Sequence, residues 1–515
     1  MFNYPIGGQN AGRSIVYQFT GLDRRDRIAD GACREMVNLS SDAYPCMAPR
    51  AGRTQLTEYP AATAALFKNG KLFVIDGTAA KYGGETVGAV TAGRKQMAVM
   101  NDWIFLWPDK AAFNAATGEF RAMETHVGAL AVTFTNSTIT RKDGADWPFQ
   151  VGDGVTISGC GQEYNNRTSV VQAVEGSTLT FYDNVFQYGE LDSDENQSTH
   201  EWDEAAVRFD ITVPALEYVC EKDNRLWGVY GNHICCCKLG DGFNWNVFNG
   251  LSTDAFDVQV GSDGPFTGIA GYSNYILAFK EHCVHKLYGT KPTNYTANIS
   301  YVEGVQEGCA DTLVIYNNAL FYLSRSGVMA YGGGTPESIG GPLNRDYVRA
   351  VAGRHMDKYV LCGTTEEGES EIVVYDTEHG IWVREDDAEV VCFAADRGVL
   401  HFVDADGSLW RCGTDDPVAW SATFGPFEEV GSEKKITNRI DVVLKGEPGA
   451  VVEVAVQQEG GPWRTIRRGS ARRPDGTLVI PQIPMRGHEF RLRVSGTGRA
   501  VLHSLVRHSR EGSAR

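Results

Sequence analysis

The residues best suited to metal or redox chemistry in this sequence form two short clusters. Three consecutive cysteines span positions 235–237, and His282, Cys283 and His285 lie within four positions. Thiolates and imidazoles bind Zn²⁺, but a tetrahedral site needs ligands that converge on one point. Neighbouring residues of a strand point to opposite faces, so neither cluster supplies converging ligands from one regular strand. Small buried thiols and satisfied strand residues are therefore favoured over a metal or disulfide site.

Paired carboxylates are the second candidate chemistry, since glycoside hydrolysis uses two of them about 5 to 10 Å apart. Asp404 and Asp406 precede Gly407, an order typical of a hairpin turn. The sequence singles out no pair among its 65 acidic residues. We therefore name no catalytic residue, although counting alone leaves a glycosidase or lyase open.

Two loops could bind an ion or a phosphate group. Asp192, Asp194 and Glu195 could hold Ca²⁺, but their loop lacks the glycine and the distal bidentate Glu of a Ca²⁺-binding loop. The glycines at 332–334 follow a strand without opening a helix, which is typical of a turn rather than of a phosphate cradle. A solvated loop and a turn are favoured, so we expect no metal site and no bound cofactor.

The charge of the chain is unevenly distributed. The net charge of −17 argues against a nonspecific nucleic-acid coat, which needs cations to neutralise phosphates. Residues 432–515 carry +8, which leaves −25 on residues 1–431. The two regions therefore face different neighbours. The sequence begins without a signal peptide, and its apolar runs are shorter than the ~18 residues of a membrane helix, so we expect a protein made in the cytoplasm without membrane insertion.

One theme recurs seven times and predicts an all-β fold. It consists of a polar turn followed by an apolar strand, and runs with helical periodicity are nearly absent. The copies begin at Asn69, Asn101, Asp223, Ser273, Asn317, Asp357 and Asp396. All but one of the intervals between them are close to the roughly 40 to 50 residues of one propeller blade. The exception, between the second and third copies, leaves room for an inserted domain.

This pattern predicts a seven- or eight-bladed β-propeller with an inserted small β-barrel or sandwich and a C-terminal β-sandwich. The expected limits are 1–127 for an N-terminal segment and the first blades, 128–212 for the insert, 213–431 for the remaining blades and 432–515 for the basic sandwich. Four tryptophans near equivalent late positions of the repeat are expected to pack between neighbouring sheets: Trp227, Trp245, Trp382 and Trp410. Residues 13–57 could supply a closing strand beside a blade near 414–430.

Several stretches resemble tailed-bacteriophage virion proteins: the tail hub, nozzle or stabilisation proteins beneath the portal, and related minor tail proteins. The propeller stretches that carry this resemblance are YILAFKE (275–281), HKLYG (285–289), EGCA (307–310) and LFYLSRSGV (320–328). REMVNL (34–39) and YPCMAPR (44–50) resemble the N-terminal segment of that group, and IPMRGH (483–488) with FRLR (490–493) resembles its appended sandwich.

The resemblance implies a non-enzymatic part of a sixfold ring in the virion tail, which contacts neighbouring tail or portal-adaptor proteins while genomic DNA passes through its lumen. An acidic lumen would repel phosphate and let the duplex slide. Two alternatives stay open. One is a tail-tip module that binds a host-surface glycan, and the other is a propeller glycosidase.

Overall fold

A computed structural model describes residues 11–182, 185–188, 201–428, 435–470, 476–487 and 489–511. The structure is almost entirely β, as the sequence predicts, with short 3₁₀ turns at Glu163–Asn165, Pro292–Asn294, Ala310–Thr312 and Gly341–Leu343. The chain divides into two compact units: unit 1 combines residues 1–62 with 311–515, and unit 2 contains residues 63–310. Among the described residues, no helix has the length and apolar character needed to cross a membrane.

Six short strands open the chain and belong to unit 1. They are β1 Ala11–Val16, β2 Gly21–Leu22, β3 Ala32–Val37, β4 Leu39–Ser40, β5 Ala48–Pro49 and β6 Gly52–Glu58. β4 and β5 pair with each other, whereas β1, β3 and β6 pair with strands from the end of the chain. The N-terminal segment is therefore held by partners that are remote in sequence.

Unit 2 begins with two sheets of four consecutive strands each. Sheet I contains β7 Ala62–Lys68, β8 Lys71–Asp76, β9 Ala79–Tyr82 and β10 Glu85–Ala89. Sheet II contains β11 Gln96–Met100, β12 Trp103–Trp107, β13 Ala111–Asn114 and β14 Phe120–Ala122.

A closed six-stranded barrel follows sheet II. Its strands are β15 Thr125–Phe134, β16 Thr138–Arg141, β17 Gly154–Ser158, β18 Thr168–Glu175, β19 Thr178–Phe181 and β20 Trp202–Ile211. The barrel closes where β15 pairs with β20, so Thr125 lies opposite Ile211. Its interior has its own core, which includes Phe134, Phe181 and Phe209. The barrel thus leaves and re-enters unit 2 at adjacent points, in the region where the sequence places an insert at 128–212.

Unit 2 ends with two more four-stranded sheets. Sheet III contains β21 Tyr218–Lys222, β22 Arg225–Tyr230, β23 His233–Cys236 and β24 Phe256–Gln259. Sheet IV contains β25 Gly268–Tyr272, β26 Tyr275–Lys280, β27 Cys283–Tyr288 and β28 Thr296–Ser300. Buried side chains fill the spaces between successive sheets, with Phe73 and Phe113 between I and II, Phe105 and Leu226 between II and III, and Val229 and Ile276 between III and IV.

Unit 1 contains three further sheets of this kind. Sheet V has β29 Val314–Tyr316, β30 Ala319–Ser324, β31 Gly327–Tyr331 and β32 Glu337–Ser338. Sheet VI has β33 Arg349–His355, β34 Lys358–Thr364, β35 Ser370–Asp376 and β36 Ile381–Arg384. Sheet VII has β37 Val390–Asp396, β38 Val399–Asp404 and β39 Ser408–Thr414, and β6 is its fourth strand.

Each copy of the repeated theme is the second strand of one of these sheets together with the turn before it. The turns need positive φ, which Asn69, Asn101 and Asn317 adopt at 52°, 54° and 47°. The strands are buried on both faces, as in β26 and β34, where every residue is buried. A strand covered on both faces has a continuous apolar sequence, which is why the theme could be recognised.

The rest of the chain forms two larger sheets in unit 1. Their strands are β40 Ala419–Glu428, β41 Lys435–Gly446, β42 Val451–Gln458, β43 Arg464–Ser470, β44 Gly476–Gly487, β45 Glu489–Thr497 and β46 Ala500–Glu511. Sheet VIII has the order β1-β46-β41-β44, and sheet IX has the order β2-β3-β40-β45-β42-β43. These sheets thus recruit β1, β2, β3 and β40 from outside the expected range 432–515.

Candidate functional site

The three consecutive cysteines lie in and just after β23, and their thiols do not converge. Cys235 and Cys237 belong to the core between sheets II and III, whereas Cys236 belongs to the core between sheets III and IV. The Cys237 sulfur accepts a hydrogen bond from the Leu226 N–H at 3.1 Å. Burial raises the pKa of Cys236 to about 12. These residues are small buried thiols, as the sequence predicts.

The second cluster is also dispersed. His282 is exposed in the turn before β27, Cys283 is buried, and the buried His285 ring nitrogen Nε2 lies 2.7 Å from Ser262 Oγ. Burial, together with the nearby Lys280 ammonium, lowers the pKa of His285. In the part of the chain that the structure describes, no three His, Cys, Asp or Glu side chains are grouped so that they could hold a metal ion.

The candidate turns have structural roles. Asp404 Oδ1 accepts a hydrogen bond from the Ser408 N–H at 2.8 Å, and its Oδ2 accepts one from Trp410 Nε1 at 2.7 Å. Gly407 has a φ of 86° and closes this hairpin. The glycines at 332–334 form the turn between β31 and β32. Asp192, Asp194 and Glu195 lie outside the described residues.

The tryptophans do not occupy equivalent positions, so that expectation was wrong. Trp227 lies in a second strand, Trp410 in a third strand and Trp382 in a fourth strand, while Trp245 follows β23. The intervals in the sequence reflect where the turns recur. The loops within the sheets differ in length, so the tryptophans lie on different strands. Packing is nevertheless their role at three positions, because Trp227, Trp245 and Trp382 are buried.

A buried carboxylate in unit 1 fastens the N-terminal segment to sheet VI. The Glu371 side chain is fully buried and accepts two hydrogen bonds from Arg24, at 2.8 and 2.7 Å. Arg384 Nε and the Tyr347 hydroxyl also donate to it, at 2.8 and 2.7 Å. Burial alone would raise the pKa of Glu371, but the Arg24 hydrogen bonds and charge outweigh it and hold the pKa at about 2.

A second group of ion pairs lies at the start of β6. Arg53 donates to Asp386 Oδ2 at 2.7 Å and also to Glu385, and Arg50 donates to the same Asp386 oxygen at 3.0 Å. Sequence analysis missed both groups, because their members lie more than three hundred positions apart and no local pattern marks them.

A cationic edge strand is an exposed feature of the C-terminal sheets. β43 is the edge strand of sheet IX in the described part of the chain, and Arg464, Arg467 and Arg468 are exposed on it. We call these three residues the arginine edge. Among the described residues, no carboxylate forms an ion pair with them. Glu453, opposite Arg468, instead accepts a hydrogen bond from Thr465 Oγ1 at 2.8 Å.

β45, which is separated from β43 by β42 in the same sheet, carries two more arginines. Phe490, Leu492 and Val494 are buried, while the intervening Arg491 and Arg493 are half-buried, so the two arginines face away from the core. The Arg493 guanidinium lies 4.0 Å from the Trp463 ring centroid, and its nitrogen is 3.9 Å from Glu35. The sequence predicts that Arg491 and Arg493 alternate with buried apolar residues along one strand. It does not predict that β43 pairs with β42.

Comparisons with known proteins leave the family open. No protein-family model matches the chain, and no curated protein matches it. Similar solved structures include the computationally designed protein Ika8, at 12% identity and a TM-score of 0.35, covering 70% of this chain and 98% of that one. Kluyveromyces lactis Hsv2 is 13% identical with a TM-score of 0.27, and the match covers 38% of this chain but only 60% of that chain. An exo-beta-1,3-galactanase from Phanerochaete chrysosporium is 9% identical with a TM-score of 0.21, covering 56% and 94% of the two chains.

Proposed function

We propose that this chain is a non-catalytic structural component of a tailed-bacteriophage virion, of the hub or nozzle type. The arginine edge is the observation that carries the proposal. Three exposed cations on an unpaired strand edge, without an internal counter-charge among the described residues, suit docking onto an acidic neighbour. The resemblance of residues 275–328 and 34–50 to virion tail proteins supports the same role. The neighbours would be further copies in a sixfold ring and the adjoining tail or portal-adaptor proteins.

The seven four-stranded sheets would then be propeller blades, four in unit 2 and three in unit 1. Within unit 2 the first strand of sheet II contacts that of sheet III, which contacts that of sheet IV. Within unit 1 the first strands of sheets V, VI and VII are in contact in the same order. First strands that follow one another in this way are those that line the channel of a propeller. The charge of −25 on residues 1–431 suits a channel that genomic DNA crosses without adhering.

A cavity in unit 2 supports a second candidate function, the binding of a host-surface glycan. It has a volume of about 470 Å³ and is lined by Tyr218 together with the exposed carboxylates Glu217 and Glu307. An aromatic face beside acidic hydrogen-bond acceptors suits a sugar ring. Retention on a glycan array, lost in a Tyr218→Ala variant that keeps its thermal stability, would favour this role over the structural one.

Particles from the phage that encodes the chain test the structural role directly. Mass spectrometry of purified virions should detect the chain, and cryo-electron microscopy should place it in a symmetric tail ring. A chain that is absent from virions would overturn the proposal.

Charge reversal tests the docking surface. A phage that lacks the gene is complemented with the variant carrying Arg464→Glu, Arg467→Glu and Arg468→Glu, and we expect at least a tenfold loss of incorporation into particles. The control carries the same change of charge at exposed arginines elsewhere in unit 1, Arg27→Glu, Arg397→Glu and Arg411→Glu. Equal incorporation of both variants would mean that the arginine edge has no specific role in assembly.

A further inference from the structure

A cavity of unit 1 lies between sheets VI and VII and has no part in the proposed docking. Its volume is about 400 Å³, which lies within the range of small-molecule binding sites. Its wall consists of buried apolar side chains from both sheets: Val360, Ile372, Val374, Val383, Leu400 and Phe402. Interiors of folded proteins are close-packed, so a space of this size can accommodate the apolar part of a ligand.

The turn between β33 and β34 lines the same cavity. Met356 is the first residue of this turn, where it has a φ of 52° and is 64% exposed. The corresponding residues of sheets I, II and V are Asn69, Asn101 and Asn317, with φ between 47° and 54°. Asparagine adopts positive φ more readily than methionine does. The fold therefore keeps an exposed apolar side chain beside the cavity at a backbone position that favours a polar one, and such outliers concentrate at functional sites.

The second residue of this turn supplies a carboxylate. Asp357 is half-buried and also lines the cavity. Within the described ranges, no hydrogen bond or ion pair engages its carboxylate. Arg354, on the same hairpin, donates to the Met356 carbonyl at 2.8 Å, and its guanidinium lies 4.2 Å from the Tyr316 ring centroid. The negative charge of Asp357 is therefore available to a cation from outside the chain.

The other charged groups around the cavity have partners within the chain. Three cations pair with three carboxylates, in the combinations Arg50–Asp386, Arg53–Glu385 and Lys358–Asp42. Burial lowers the pKa of His355, which keeps its ring neutral near pH 7. An anionic group would therefore enter without a free counter-charge, whereas an ammonium group would meet Asp357. Burying an unpaired charge is costly, so these charges favour a cationic ligand.

We infer that this cavity binds an amphipathic cation, whose ammonium group pairs with Asp357 and whose apolar body fills the space between sheets VI and VII. The Met356 side chain covers the apolar body at the opening, a role that suits methionine because its side chain adapts to irregular surfaces.

The probe for this site is phenylbutylamine, and its matched neutral probe is phenylbutanol, in which a hydroxyl replaces the ammonium group. Isothermal titration calorimetry with the full chain at pH 7 should show one saturable site per chain for the amine. The alcohol should bind about tenfold more weakly, because a hydrogen bond between two charged groups is stronger than one from a neutral hydroxyl.

Asp357→Asn tests the role of the charge. It should lower the affinity for phenylbutylamine about tenfold and leave the affinity for phenylbutanol within about twofold of the parent value. The substitution lies in a turn and breaks no hydrogen bond of the described chain, so the variant should fold. The control, Asp406→Asn, removes an exposed carboxylate from the turn before β39 and should bind both probes like the parent chain.

Met356→Asn tests the cover over the opening. Asparagine tolerates positive φ, so the variant should melt at a higher temperature than the parent chain. It should nevertheless bind both probes at least threefold more weakly, because the apolar contact is lost. A methionine with no contact to the ligand would give the gain in stability without the loss of affinity.

Two cavity-filling variants locate the site. Val374 and Val383 lie opposite each other on β35 and β36, and Val374→Phe or Val383→Phe places an aromatic ring in the space. Each should reduce the affinity for phenylbutylamine at least tenfold, and the second variant serves where the first fails to fold. The control, Ile315→Phe, adds the same ring at an exposed position of sheet V and should bind the amine like the parent chain.

Three results would overturn the inference. The first is the absence of saturable phenylbutylamine binding to the parent chain. The second is binding that survives both filling variants, which would place the probe elsewhere on the chain. The third is an Asp357→Asn variant that binds the amine as tightly as the parent chain does, which would mean that the carboxylate does not select the ligand.

Discussion

Arg24 and Glu371 lie 347 positions apart in the sequence, yet their side chains form a two-point ion pair with hydrogen bonds of 2.8 and 2.7 Å. Arg384 and Tyr347 complete the environment of the carboxylate, and Arg345 lies 3.4 Å from it. Three guanidinium groups thus surround one fully buried negative charge. Removing that charge would leave the guanidinium groups without their common partner.

Glu371→Gln should therefore destabilise unit 1 by about 3 to 5 kcal/mol, the usual cost of breaking a buried pair by removing one partner. Urea unfolding followed by tryptophan fluorescence measures the change. Glu369→Gln is the control, because its carboxylate is 68% exposed and also contacts Arg345. The control should change stability by less than about 1 kcal/mol. Similar effects of the two substitutions would mean that burial does not determine the strength of the pair.

The same carboxylate predicts a dependence of stability on pH. The pKa of Glu371 is about 2 in the folded chain, below its ordinary value of 4.5. A lowered carboxyl pKa contributes stability that is present above pH 4.5 and is lost as the pH falls towards 2, by about 3 kcal/mol for this shift. Urea midpoints measured from pH 5 to pH 2.5 should fall more steeply for the parent chain than for Glu371→Gln. Parallel curves would contradict the assignment.

Thiol labelling should distinguish buried from accessible cysteines. Burial raises the pKa of Cys236 and Cys362 to about 12, so at pH 8 only about one thiol in ten thousand is ionised. Iodoacetamide treatment of the native chain should leave these two unmodified, and urea should expose both of them. Peptide mass spectrometry measures the labelling, and rapid native labelling of Cys236 would contradict its burial.

Gly407 should tolerate alanine less well than Gly398, although both have positive φ. Their φ angles are 86° and 84°, so the backbone conformation costs alanine a similar free energy of about 1 kcal/mol at either position. A Cβ at Gly407 would lie 2.5 Å from Pro60 Cα and 2.7 Å from the Tyr59 oxygen, whereas at Gly398 it meets nothing within 4 Å. Thermal unfolding should show at least twice the loss of stability for Gly407→Ala. Equal losses would mean that the backbone of 59–60 can move away.

Deletion of the barrel should leave the rest of unit 2 folded. Thr125 and Ile211 are paired across β15 and β20, so a short turn can replace the residues between them. The deletion loses three hydrogen bonds: the Gly154 N–H donates to Asn244 Oδ1 at 2.9 Å, and Asn246 and Lys238 donate to oxygens of the barrel at 2.9 and 2.8 Å. Together they account for about 3 kcal/mol. Circular dichroism and melting temperature measure the result. An insoluble or unfolded deletion variant would mean that the barrel is part of the core of unit 2.

The sequence predicted the local features in more detail than the distant ones. The turn residues at Asn69, Asn101 and Asn317 could be recognised because positive φ restricts the residue types that a tight turn accepts. The all-β character and the repeated second strands followed from this. The sequence also suggested a closing strand from residues 13–57 beside a blade near 414–430, and in the structure β6 pairs with β39, with Gly52 opposite Thr414. The ion pair of Arg53 with Asp386 depends on a contact between remote segments, and no local pattern marks it.

The candidate sites show the same division. The sequence placed Asp404 and Gly407 in a hairpin turn because the whole motif is contiguous. The ion pairs of Arg53 with Glu385 and Asp386 join β6 to the segment after β36, and no local pattern in either segment marks them.

Sheet VII combines the early strand β6 with three strands made much later, and this has a consequence for biosynthesis. β6 emerges from the ribosome before residue 60, but its partner β39 is completed only at Thr414. Unit 2 is made in the interval and can fold first, because domains generally fold as units during synthesis. β1 and β6 must therefore wait for their partner strands β46 and β39 while most of the chain is translated.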